Sequence, residues 1–191
     1  MSPILGIIAS SISGSKAVTN SYESIATVSV STATSTISFT SISATYKHLQ
    51  IRYLARCSRT DYTVATMFAR FNSDSASNYA GHALYGNGST AASYGNANQT
   101  FGYVGAVVGA NAAADIFAGG VIDILDYANT NKYKTTRSLN GVNINASSGD
   151  EVGLQSGLWQ STSAVNRIDL TLETSANFLQ YSQFALYGIK G

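Results

Sequence analysis

The chain has one cysteine, one proline and little charge for its size. Cys57 has no partner for an internal disulfide, which fits manufacture in a reducing cytoplasm. With Pro3 as the only proline, turns must rely on the 17 glycines together with Asn and Asp. Charged residues are 11% of the 191, less than half the usual share of about a quarter, and the net charge is +1. Ser, Thr, Asn, Gly, Ala and Tyr must therefore cover the surface, and such a surface does little to repel a neighbour. The Lys and Arg residues are scattered apart from Arg52, Arg56 and Arg59. Arg52 and Arg56 alternate with apolar residues, which reads as a solvated strand face and not as a nucleic-acid footprint. No apolar run approaches the roughly 20 residues of a membrane-spanning helix. The start, MSPILGIIASSISGSK, has no basic residue before Lys16 and only a short apolar run, so it reads as part of the mature protein. Sequons at Asn87, Asn98 and Asn145 carry little weight in so Asn/Ser/Thr-rich a chain.

A helical period is also missing. Residues 60–69 and 111–118 come nearest, and no longer stretch shows one. What is present is alternation. In residues 47–56, KHLQIRYLAR, Leu49, Ile51, Tyr53 and Ala55 share one face of an extended strand, and His48, Gln50, Arg52 and Arg56 share the other. That is a half-buried strand with a wet outer face. Similar segments are expected at 24–30, 36–39, 64–71, 79–85, 100–108, 115–125, 132–142, 152–160, 167–172 and 182–189. Between them lie turn formers at 72–78, a tight turn at 86–89, a long polar loop at 89–99, and turns at 129–131 and 147–150. Hydrophobic residues at 45% argue against disorder, and no fixed repeat points to a propeller or solenoid. The expectation is an all-β antiparallel sandwich of jelly-roll type over residues 21–191, preceded by an N-terminal arm over 1–20. In that arm Pro3, Ile4, Leu5, Ile7 and Ile8 form an apolar segment too short to bury itself, so it must dock on its own domain or on a partner.

Chemistry is hard to find. His48 and His82 belong to no metal-ligand spacing, and Cys57 has no partner at ligand distance, so a zinc site would need ligands from distant strands. A buried, structural role suits Cys57 better than a reactive one. No Gly-x-Ser-x-Gly elbow occurs. Asp150 and Glu151 would point to opposite faces of a strand, as would Asp123 and Asp126 at its end, which is wrong for a working carboxylate pair. The segment 72–74 could offer oxygens to calcium, but with one carboxylate it reads as an ordinary turn. The sequence therefore predicts no enzyme, no metal and no cofactor. Tyrosine is unusually common, 12 against 7 Phe and 1 Trp. Tyr with Ser, Gly and Asn is the composition of adaptable binding loops, and 86–99 has it, with Asn87, Tyr94, Asn96 and Asn98 as receptor-facing candidates. The other reading is that Tyr bridges core and wet surface, as in any antiparallel sheet.

Three stretches carry a family resemblance: ISFTSISATYKHLQIRYLARCSR (37–59), FNSDSASNYAGHALYGNGS (71–89), and 157–189, from GLWQSTSAVNRIDL to FLQYSQFALYGI. Together they resemble the small jelly-roll virion proteins of tailed bacteriophages, of the kind frequent in cyanophages. The opening SPILGIIASS resembles the N-terminal anchor of such proteins. The resemblance implies a homotrimer made in the host cytoplasm and carried in the virion, with other virion proteins as partners, the major capsid protein first among them. It implies a capsid decoration or cement role, or a head-fibre or tail-fibre role. Only some 20 residues precede the sandwich and no heptad segment occurs, which favours decoration. The alternative is a receptor-binding tip that recognises a host surface glycan.

Overall fold

A computed structural model describes residues 21–145 and 149–191. The arm, with Pro3, Ile4, Leu5, Ile7 and Ile8, and half of the expected 147–150 turn lie outside the described residues. The described chain forms twelve strands: β1 (Tyr22–Ser29), β2 (Thr36–Phe39), β3 (His48–Ala55), β4 (Val64–Phe71), β5 (Tyr79–Gly86), β6 (Ala91–Gln99), β7 (Gly102–Val108), β8 (Ala118–Leu125), β9 (Lys134–Val142), β10 (Glu151–Trp159), β11 (Ile168–Leu172) and β12 (Gln183–Ile189). One short 3₁₀ turn, Glu173–Ser175, follows β11.

The strands pair antiparallel in two sheets, one of eight strands in the order β1-β12-β3-β8-β9-β10-β5-β6 and one of four in the order β2-β11-β4-β7. Setting aside the two hairpins β5-β6 and β9-β10, the remaining eight strands form two sheets of four, β1-β12-β3-β8 facing β2-β11-β4-β7. That is a jelly roll. The hairpins are insertions, one between β4 and β7 and the other between β8 and β11, and both extend the larger sheet beyond β8.

The core follows the alternation read from the sequence. Leu49, Ile51, Tyr53 and Ala55 of β3 are buried, with Ile122 and Ile124 of β8 beside them in register. Facing them are Met67, Ala69 and Phe71 of β4 and Ile168, Leu170 and Leu172 of β11. Phe178 meets Phe184 edge-on at 5.0 Å, and Trp159 lies 5.5 Å from Phe71. Three tyrosines are fully internal, and each hydroxyl donates to a carbonyl: Tyr53 to Ala106 at 3.1 Å, Tyr79 to Asp74 at 3.2 Å, and Tyr127 to Ser43. Burial pushes the Tyr79 phenol up to about 12. These three fit the bridging role expected of Tyr in a sheet.

The large sheet does not stop at the edge of the small one. It passes the edge strand β7 and covers part of the small sheet's far side. Met67 faces the core, so its neighbours Thr66 and Phe68 face away from it. On that far side Tyr103 stands edge-on to Phe68 at 5.1 Å, and Tyr94 of the inserted hairpin stands edge-on to Tyr103 at 5.9 Å. A second small apolar cluster, Ala106, Val108, Ala118 and Val142, fills the same region. This explains why β7 is buried almost throughout and how a sheet edge is kept from pairing with another chain.

Three local readings change. The 89–99 segment is strand β6, paired along β5, and not a loop. Its Ala, Ser, Gly and Asn residues give no apolar period, and ladder hydrogen bonds decide its conformation. The strand expected from 115 begins at Ala118. Arg56 and Gln50 are buried, not wet. Arg56 lies just past β3, and its guanidinium donates to the carbonyls of Ala113 and Ala112, both at 2.7 Å, Ile116 at 3.1 Å and Ala110 at 3.3 Å. One side chain thus ties down the loop between β7 and β8. Arg56→Ala leaves four carbonyls without that donor and should cost about 3 kcal/mol of unfolding free energy. Urea denaturation checks this. A loss below about 1 kcal/mol would show that the clamp contributes little.

Candidate functional site

In the extended half of the large sheet the usual pattern inverts. On β9 the buried residues include Lys134, Thr136, Ser138 and Asn140, while Arg137 and Leu139 point outward and are exposed. On β10 Gln155 is buried while Val152 and Leu154 are exposed. The exposed aliphatic residues are aligned. Val121 pairs with Leu139, Leu139 with Leu154, and Leu154 with Leu84, which makes one row across four strands. Val152 and Leu54 stand in the adjoining row, whose other members on β8, β9 and β5 are Gly119, Gly141 and Gly86. Leu54, Leu84, Leu139, Val152 and Leu154 are each 51–57% exposed.

A polar row borders the aliphatic one. Gln50 donates to Asp123 at 2.8 Å, Arg137 donates to the other Asp123 oxygen at 2.9 Å, and Arg52 donates to Gln50 at 2.9 Å. The outer face therefore has an apolar centre and a fixed polar margin, the anatomy of a protein contact surface.

The inward polar residues of the same strands are mostly satisfied. The Lys134 ammonium, pushed down by burial, donates to the carbonyls of Asn129 at 2.6 Å, Lys132 at 3.0 Å and Thr162 at 3.2 Å. Ser138 donates to Gln155 at 3.3 Å. Asn140 is the exception, with neither amide atom hydrogen-bonded.

The receptor-facing candidates do not share a surface. Asn87 braces its turn, its side-chain oxygen accepting from the backbone of Ser89 and Thr90 at 3.1 and 2.8 Å. Tyr94 and Asn96, paired with Ala83 and Gly81, lie on the inner face of the sheet. Asn98 sits at a bulge with φ 55°. The remaining candidates for chemistry are also placed. His48 accepts a hydrogen bond from the Asp126 backbone at 2.9 Å, and His82 is exposed on the outer face of β5. Cys57 is fully buried, and burial raises its thiol. Asp74 in the 72–78 turn accepts from Trp159 at 2.7 Å and from Asn78 and the Ala76 backbone at 2.9 Å. Burial would raise its carboxyl, but those donors outweigh it and hold it low, so its oxygens serve the fold. Among the described residues no three of His, Cys, Asp and Glu come together as a metal site. The aliphatic row has no local sequence signal, because pairing register alone aligns it.

No protein-family model, curated protein or solved structure matches the chain.

At the end of β8, Asp126 pairs with Lys132 and with Lys47 at 3.1 Å, and these lysines hold its carboxyl down at about 2. A depressed carboxyl adds stability above its unfolded value of about 3.9 and loses it as pH falls through about 2. Thermal unfolding should therefore show a steeper acid loss for the native chain than for Asp126→Asn between about pH 4 and 2. Both lysines are more than half exposed, so about 1 M salt should shrink the difference. Identical acid limbs would mean the cluster is idle.

Proposed function

We propose that this chain is a structural virion protein of a tailed bacteriophage, a decoration protein that stabilises the capsid shell. Its arm, through Pro3, Ile4, Leu5, Ile7 and Ile8, docks on the major capsid protein, and its sandwich meets other copies in a homotrimer. The observation that carries this reading is the inverted half-sheet. A monomeric sandwich gains nothing from Leu84, Leu139, Val152 and Leu154 on its outside and Thr136, Ser138 and Asn140 on its inside. A chain whose outer face is covered by another copy gains roughly 25 cal/mol for each Å² of apolar surface removed from water. Five half-exposed aliphatic side chains then supply a few kcal/mol per subunit before association costs. The jelly-roll topology and the low charge suit the same role. In this reading the chain does no catalysis and needs no cofactor.

The receptor-tip alternative has one observation in its favour, the exposure of Tyr94 beside Tyr85 at the mouth of a cavity. One experiment separates the two. Virions made with the chain lacking residues 2–15 should assemble without incorporating it and release DNA more readily on heating. Full occupancy of the shell by the shortened protein would end the anchoring claim. Particles that keep their heat stability but fail to adsorb to cells would favour the receptor-tip alternative.

A further inference from the structure

Between the overhanging part of the large sheet and the far side of the small one lies a cavity of about 220 Å³. That is smaller than the roughly 300–1,000 Å³ of sites for drug-sized ligands, and large enough for one small polar molecule. Its walls are set by register. Gly153 lies between Asn140 on β9 and Tyr85 on β5. Two residues along, Gln155 lies between Ser138 and Ala83, and Ala83 pairs with Tyr94 on β6. Glu151 stands two residues to the other side of Gly153 and faces the same way. Gly153 has no side chain, and that opening is needed. A Cβ there would lie 2.9 Å from the Asn140 amide oxygen and 3.3 Å from a Glu151 carboxyl oxygen.

The polar groups around this opening are not balanced. Glu151 has no basic partner within ion-pair distance among the described residues, and no Lys, Arg or His lines the cavity. Asn140, 2% exposed, lies behind Gly153 with its amide beside the Glu151 carboxyl. Tyr94 offers a ring beside Tyr85, centroids 6.3 Å apart. A carboxyl with no basic partner and two tyrosine rings around a small space form the pattern that receives an ammonium group. We infer that the cavity binds a small ammonium-bearing ligand no larger than one amino sugar, with Glu151 as its counter-charge, Gln155 as a hydrogen-bond partner, and Tyr85 and Tyr94 as its walls. This goes beyond the virion role and does not depend on it.

The carboxyl must be ionised to hold a cation. Burial raises Glu151, although the nearby Asn140 amide partly offsets this. The other titratable groups around the cavity are the phenols of Tyr53, Tyr85, Tyr94 and Tyr103, with the Glu173 carboxyl and the Arg59 guanidinium further off. Arg59 is paired with Glu173 and Asp61, so none of these gives Glu151 a counter-charge. Ammonium binding is therefore present above the Glu151 value and fades as pH falls through it.

Titration calorimetry of the full chain with glucosamine, ethanolamine and glucose tests this. The two amines should bind at millimolar strength at neutral pH and weaken progressively as pH is lowered into the acid range, while glucose gives no heat. Glu151→Gln should abolish amine binding with the fold retained by circular dichroism. If that variant fails to fold, Gly153→Ala, which pushes a methyl toward Asn140 and Glu151, serves in its place and should weaken binding at least tenfold. Absence of amine binding, binding unchanged in the folded variant, or glucose binding as strongly as glucosamine would overturn the inference.

Discussion

The structure depends on how the large sheet gets past the edge of the small one. Eight strands cannot lie flat on four. Tyr53 shows how closely the layers meet at the crossing. Its hydroxyl donates to Ala106 on β7, and its ring fits only because Gly105 and Gly120 have no side chains, where a Cβ would sit 2.4 and 2.5 Å from Tyr53 atoms. Once the sheet passes that point, Gly153 and Gln155 of β10 and Ala83 and Tyr85 of β5 face the far side of the small sheet, while Tyr79 and Trp159 at the other end of the same strands still pack on Phe71 in the main core. The overhang covers the β7 edge and leaves its own outer surface without a second layer.

The inversion follows from that geometry. Under the overhang there is room for polar side chains and a cavity, so Ser138 and Gln155 are accommodated by hydrogen-bonding each other, and at the other end of β9 Lys134 donates to turn carbonyls. Outside, the row of Val121, Leu139, Leu154 and Leu84 is an aligned apolar strip, bordered by Gln50, Asp123 and Arg137. A folded domain gains no stability from such a row alone, and association does.

The jelly-roll half was legible in the sequence because one face of each of its strands is apolar, as in Leu49, Ile51 and Tyr53 or in Ile168, Leu170 and Leu172. Period two then assigns inside and outside without ambiguity. The inserted hairpins were not legible in this way. On β9 one face reads Lys134, Thr136, Ser138, Asn140 and the other Thr135, Arg137, Leu139, and neither is apolar enough to decide. On β6 the Ala, Ser, Gly and Asn residues suggest a loop, and only pairing with β5 makes a strand. Arg56 looked solvated because its acceptors, four carbonyls of a loop about 55 residues later, cannot be seen locally. In the sequence Glu151 stands out only for pointing away from Asp150, and the cavity it faces is made by register across four strands.

The central claim is that the aliphatic row joins copies of this chain. Light scattering after size exclusion, on the native chain and on Leu139→Glu with Leu154→Glu, tests it directly. The native protein should give a mass near three times 20.0 kDa, and the double variant, whose changes lie on an exposed face, should keep its β spectrum and fall to about 20.0 kDa. A native monomer at micromolar concentration, or a double variant that keeps the native mass, would contradict the account.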